Sequence, residues 1–120
     1  MTTASGHTSA IRAEKVIGTS VKNAIGESIG EVEDIVLDKQ SNNIMFAVLS
    51  FGGFLGIGEK YHPVPWSTLK YDDKDGNYVV NLSRDQLTAA PAYSLDELTR
   101  NDGMAHRNAA FDYYKAPRYW

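Results

Sequence analysis

The stretch GESIGEVEDIVLD, Gly26 to Asp38, followed after a short turn by NNIMFAVLSF, Asn42 to Phe51, decides the fold class. From Gly30 onward apolar and polar residues alternate as on a strand with one buried face, until the phase slips at Glu33-Asp34 and Ile35, Val36 and Leu37 run together. A slip of one residue in a long strand is the sequence mark of a β-bulge, which bends the strand and suits a small barrel. Ile44 to Phe51 is different, because both of its faces are apolar. Ile44, Phe46 and Val48 lie on one side, and Met45, Ala47, Leu49 and Phe51 on the other. One face fills the barrel, and the outer one needs a cover, either the chain's own tail or a second subunit.

Working outward, short apolar runs recur at roughly ten-residue spacing and are separated by Gly, Asn, Asp and Pro, the pattern of an all-β domain. The expected strands are Ser20 to Lys22, Ser28 to Asp38, Asn43 to Phe51, Lys60 to Pro63, Leu69 to Asp72 and Tyr78 to Leu82, with no helical period among them. Ala24-Ile25-Gly26, Ser41-Asn42-Asn43 and Asp75-Gly76-Asn77 supply turn residues that tolerate positive φ. The fold expected is mainly β, a small six-stranded antiparallel barrel over residues 12–91. It is preceded by a disordered lead, 1–11, and followed by a C-terminal extension, 92–120. Ser83 with Gln86 and Ser94 with Glu97 have the spacing of capping boxes for two short helical turns, the first stopped by Pro91. Five of the 13 aromatic residues fall in the last ten positions, namely Phe111, Tyr113, Tyr114, Tyr119 and Trp120, so this aromatic tail is expected to dock rather than to float.

The 120 residues fit one globular domain with a sizeable core. Zero cysteines exclude disulfides, thiolate metal sites, iron–sulfur clusters and thiol nucleophiles. A net charge of −3 argues against a bulk electrostatic grip on nucleic acid or an anionic membrane. Gln40 to Gly58 carries no charge, but its apolar part, Ile44 to Gly58, would span only about 22 Å as a helix, too short for a hydrocarbon core of about 30 Å. The polar N-terminus has no secretory pattern, and a cytoplasmic location is expected by elimination.

Several patterns resemble sites and fall short of them. The glycines of Gly52 to Gly58 lack the following helix and Lys-Ser/Thr of a phosphate loop, so Phe54, Leu55 and Ile57 read as packing anchors in a strand connection. Asp72 to Asn77 approximates a calcium loop, but Tyr71 and Leu82 occupy the two end positions where ligands are required. His7, His62 and His106 lack partners at ligand spacing, and His62 reads as a rim residue titrating near neutrality. No Gly-x-Ser-x-Gly elbow anchors a hydrolase triad, and no cofactor or metal is expected. Lys60, Tyr61, His62, Trp66, Lys70 and Tyr71 interleave basic and aromatic side chains as a nucleic-acid stacking surface would, without a fuller basic stripe. Glu27, Glu31, Glu33, Asp34 and Asp38 fall between Asn23 and Asp38 with no basic residue among them. They read as a solvated face or as an acidic docking surface for a basic partner.

Gly26 to Asp38, then Ile44 to Phe51, then GGFLGIGEK from Gly52 to Lys60, then Val64-Pro65-Trp66-Ser67-Thr68-Leu69, together resemble the PRC-barrel family over about Arg12 to Pro91. That family is named after the cytoplasmic domain of the photosynthetic reaction-centre H subunit. The resemblance implies a small six-stranded barrel used as a docking module, with no family catalytic residue to carry over. In the H subunit the barrel caps a membrane complex and influences proton and electron transfer to quinone; in a ribosome-maturation factor a similar barrel binds a ribosomal protein. The sequence shows neither the H subunit's transmembrane helix nor that factor's other domain.

The expectation is therefore a non-enzymatic protein-interaction module, homodimeric, without membrane insertion. Its candidate interface is Phe46, Val48, Phe54, Leu55, Ile57, Phe111, Tyr113, Tyr114, Tyr119 and Trp120. Glu31, Glu33 and Asp34 form a candidate acidic docking or proton-relay face. The alternatives are an accessory of reaction-centre electron transport, with those carboxylates tuning proton delivery, and an RNA-associated or ribosome-maturation barrel.

Overall fold

Six strands form one sheet in a computed structural model that describes residues 10–51 and 60–120. They are β1 (Ser20–Asn23), β2 (Ser28–Leu37), β3 (Ile44–Phe51), β4 (His62–Val64), β5 (Lys70–Asp72) and β6 (Asn77–Val80), each within a few residues of its expected place. The sheet order is β4-β3-β2-β1-β6-β5. The N-terminal lead up to residue 9, and Phe54, Leu55 and Ile57 with the rest of the glycine-rich connection, lie outside the described residues.

The turns follow their residue chemistry. Gly26, Asn42 and Gly76 have φ of +89°, +64° and +67°, each in one of the three expected turns. The bulge is where the phase slip puts it: Val32 pairs with Leu49 and Asp34 with Val48, leaving Glu33 as the extra residue of β2. Gly30 is required by close approach, since a Cβ there would run into the carbonyl of Ser50 on β3.

Not every pairing is antiparallel. β1 and β6 run parallel, Val21 beside Tyr78 and Asn23 beside Val80. Hairpin turns force antiparallel pairing only on strands joined by them, and these two are the first and last strands along the chain. Among the described residues no ladder joins β4 to β5, so the hydrogen-bonded pattern is an open mixed sheet rather than a closed antiparallel barrel. Both halves of the sheet still contribute to one core. Val64 of β4, Tyr78 and Val80 of β6, Val21, Val32, Ala47 and Leu49 share a single cluster, closed by Leu87.

The helical parts exceed expectation. A single turn, α1 (Ala13–Val16), buries Val16 in this core. Around α2 (Arg84–Thr88), Ser83 Oγ accepts from Gln86 N–H at 3.1 Å and Gln86 Oε1 accepts from Ser83 N–H at 2.9 Å, the expected capping box. Glu97 Oε1 likewise accepts from the Ser94 N–H and hydroxyl, at 2.9 and 2.8 Å. Beyond a broken 3-10 stretch, Asp96–Gly103, the extension forms an 11-residue helix, α3 (Met104–Tyr114), where the sequence pattern suggests only a tail.

Candidate functional site

The two faces of β3 meet different partners. Ala47 and Leu49 point into the barrel core, whereas Phe46 and Val48, neither with any exposure, form a second cluster with Met45, Leu98, Val36, Tyr61 and Tyr93. Met45 joins this second side because the register shifts again between Val36 and Leu37. The cover for the outer face is the chain's own extension, through Leu98 and Tyr93. Phe46 and Val48 therefore offer no surface to a second subunit, because the chain itself has already taken them out of water.

The aromatic tail also packs on its own chain. Lys115, at φ +54°, ends α3 in the left-handed conformation and turns the last residues back along the helix. The Trp120 ring then lies 4.9 Å from that of buried Phe111 and 5.1 Å from that of Tyr119. Tyr113 donates its hydroxyl to the carbonyl of Gln86 at 2.6 Å, and Tyr114 packs half-buried on the barrel core, where burial pushes its phenol up from its ordinary pKa.

A polar node ties this tail to the turn between β2 and β3. Asp38 Oδ1 accepts from the Gln40 and Ser41 N–H groups at 3.0 and 3.3 Å, and Oδ2 accepts from the Tyr119 hydroxyl at 3.0 Å. The Gln40 amide and then Tyr119 hold the Asp38 carboxyl below its usual range, so it is ionised at neutral pH. Arg107, buried on α3, brings Nη1 to 3.9 Å of Asp38 Oδ2, while its guanidinium carbon stacks 3.7 Å from the centre of the Trp120 ring. Beside this node a cleft of about 380 Å³ opens between the β2–β3 turn and α3, with exposed Leu37 and Met104 on its walls. Its charged lining, Asp38, Lys39, Asp102 and Arg107, is balanced.

The acidic residues lie on the bulged part of β2. Glu31 and Asp34 are exposed, and Glu33, half-buried, accepts from the Ser50 hydroxyl at 2.7 Å. Asp34 Oδ1 takes the Ile35 N–H at 2.7 Å, a local bond that fixes its direction. Glu33, by hydrogen bonding and by like charge, and burial to a lesser degree, push the Glu31 carboxyl above its ordinary pKa. Among the described residues no Lys, Arg or His forms an ion pair with any of the three. Glu31 and Glu33 are two residues apart on β2, the strand spacing that puts both on one face, and Glu33 is also the bulged residue.

Other candidates are dispersed. His62 is buried, its ring 4.5 Å from that of Phe51 and its Nδ1 3.1 Å from the Pro91 carbonyl. Burial depresses its pKa, opposed by the Pro91 bond, so it is a buried wall residue that takes up a proton below the ordinary imidazole range, not a rim residue. His106 is half-buried with its ring 4.1 Å from that of Tyr93. Of the basic and aromatic run, Tyr61 packs in the second cluster and Trp66 sets its edge on Tyr78, leaving Lys60, Lys70 and Tyr71 exposed. Asp72 Oδ1 receives the Lys74 N–H at 2.9 Å as part of the β5–β6 turn. Among the described residues no group of three or more His, Cys, Asp or Glu could hold a metal ion, and no helix is long and apolar enough to cross a membrane.

Arg107 is a residue that sequence reasoning misses. Its signal is the spacing Arg107, Ala110, Phe111 and Tyr114, one stripe of a helix, concealed because a charged residue opens it.

A six-stranded mixed sheet with a bulged second strand and a docked C-terminal extension defines a small β-domain class. Within it, the profile of the PRC-barrel domain matches residues 9–87, and the chain belongs to that family. No curated protein sequence matches the chain.

Proposed function

We propose that this protein is a non-enzymatic docking module whose barrel binds a basic segment of a partner protein through the acidic face of β2. The observation that supports this reading is the uncompensated crowding of Glu31 against Glu33, with Asp34 exposed next in the strand. Like charges held together without a cation work against the fold, and an Arg- or Lys-rich partner turns that repulsion into attraction. Ser50 holds Glu33 and the Ile35 amide holds Asp34, so much of the surface is set before a partner arrives. Self-association through the outer face of β3 has no part in this reading, because that face is covered.

The test uses the full chain and a triple variant, Glu31→Gln, Glu33→Gln and Asp34→Asn. Proteins captured from cells of the source organism are identified, remade in pure form, and titrated against both. A partner with a basic segment that loses at least tenfold in affinity to the variant, and that weakens as salt rises, is the expected result. Partners that bind both proteins equally and without salt dependence overturn the reading.

A further inference from the structure

We propose that α3 and its aromatic tail exchange between two copies of this chain, each docking on the barrel of the other. The proposal rests on the link before α3 and on the packing after it, and is independent of the acidic face. Between the helical turn that begins at Asp96 and the start of α3, Arg100 is extended and three consecutive residues are left-handed: Asn101 at φ +51°, Asp102 at +62° and Gly103 at +68°. Asn and Asp tolerate that region better than other non-glycine residues, yet two in succession still lie higher in energy there than in right-handed helix. Were the link to relax to right-handed helix, Asp96 to Tyr114 would become one continuous rod about 28 Å long, carrying α3 away from its own barrel.

The interactions that break on opening are of a kind a second copy restores in full. Asp38 with Arg107 and Tyr119, the Gln86 carbonyl with Tyr113, and the barrel core with Tyr114 all join a residue before the link to one after it. Reciprocal exchange remakes each of them across two chains while removing the left-handed link. Leu98 and Tyr93 precede the link and stay on their own barrel, so Phe46 and Val48 remain covered by them. The occupant of the vacated dock is thus a second copy, because the surface is already shaped to this segment. The Asp38–Arg107 node of each barrel would then be completed by its neighbour.

Gly103 and its two predecessors push the equilibrium in opposite directions. A Cβ on Gly103 would lie 3.0 Å from the Leu98 carbonyl oxygen and 3.1 Å from Met45 Sδ, at a φ that side chains resist. Gly103→Ala therefore penalises the closed link and favours the helical one. Asn101→Gly with Asp102→Gly relieves the closed link and weakens the helical one. Light scattering over a hundredfold concentration range should show the dimer population rising at least tenfold in Gly103→Ala and falling several-fold in the double glycine variant.

Exchange itself is tested by charge reversal. Asp38→Arg and Arg107→Asp chains, co-refolded, can each satisfy the other only by exchange, since the mixed dimer contains one reversed pair and one native pair. Native mass spectrometry should then show one-to-one mixed dimers in preference to dimers of either chain alone, even if each variant by itself folds poorly. The proposal is overturned if Gly103→Ala melts lower yet stays monomeric at every concentration. It is equally overturned if the link variants all dimerise to the same extent, or if the mixture yields no excess of mixed dimers.

Discussion

The barrel and the C-terminal extension are held by different physics. In the barrel core Val21, Val32, Leu49, Val64 and Val80 are apolar side chains with no exposure, and nothing among them depends on pH or direction. The extension from Met104 onward buries Ala110 and Phe111 as well, but it adds a carboxylate, a guanidinium, phenol hydroxyls and stacked rings, which act only at particular geometries. A domain built this way keeps a stable scaffold and an attachment that can be released by small changes.

The two faces of β3 offer the strongest challenge to that contrast. Phe46→Ala should cost about 3–5 kcal/mol and Leu49→Ala about 2–5 kcal/mol, because each empties a fully buried site. Thermal melting and hydrogen exchange of both variants separate the regions. Leu49→Ala should lower the protection of β1, β2 and β6 together, whereas Phe46→Ala should also raise exchange around Leu98 and Gly103. If both variants open the extension equally, the two regions are one cooperative unit and the distinction fails.

Next in size is Arg107→Met, which keeps the apolar stem in its stripe while deleting the charge. Loss of the stacked guanidinium should cost about 0.5–2 kcal/mol. The effect belongs to the tail, so Trp120 emission should shift to the red and Tyr119 should become more accessible, with the barrel's exchange pattern unchanged. A global loss of protection would instead place Arg107 among the supports of the barrel.

That contrast also explains how much of the molecule is legible in sequence. Six strands, three turns and the Glu33 bulge follow from periodicity and from turn residues, which are local signals. The parallel pairing of β1 with β6 leaves no local trace, because it joins strands more than fifty residues apart. The cover of Phe46 is half legible: two apolar faces announce that something must pack there, but Leu98 alone, in a polar stretch, does not announce itself. Arg107 is hidden for a related reason. A charge is buried only when its partners are supplied; Asp38 comes from the distant β2–β3 turn, and Trp120 reaches Arg107 only because the chain reverses at Lys115.

Smaller still is the effect of His62, which lies on the scaffold side of the comparison and yet titrates. Its folded pKa is depressed, so the unfolded chain takes up a proton first, at about pH 6.5, and the fold resists it. Its contribution is complete above that pH and is lost as pH falls through the folded value. The melting temperature of the wild type should therefore drop more between pH 7.5 and 5.5 than that of His62→Phe; identical slopes would mean the imidazole is free to charge in the fold.

The smallest effect has the opposite sign and separates a surface kept for stability from one kept for contact. Because Glu33 raises the Glu31 pKa, the folded state binds that proton more readily than the unfolded chain does, and stability gains as pH falls through the raised value. Glu31→Gln removes the repulsion at neutral pH and should raise the melting temperature by about a degree, no more, since the group is exposed and screened. The same substitution should weaken a basic partner. A residue whose loss helps the fold and harms binding is held in place by the binding. If Glu31→Gln instead lowers the melting temperature, the carboxylate serves the scaffold, and the acidic face loses its claim to be more than a solvated edge of β2.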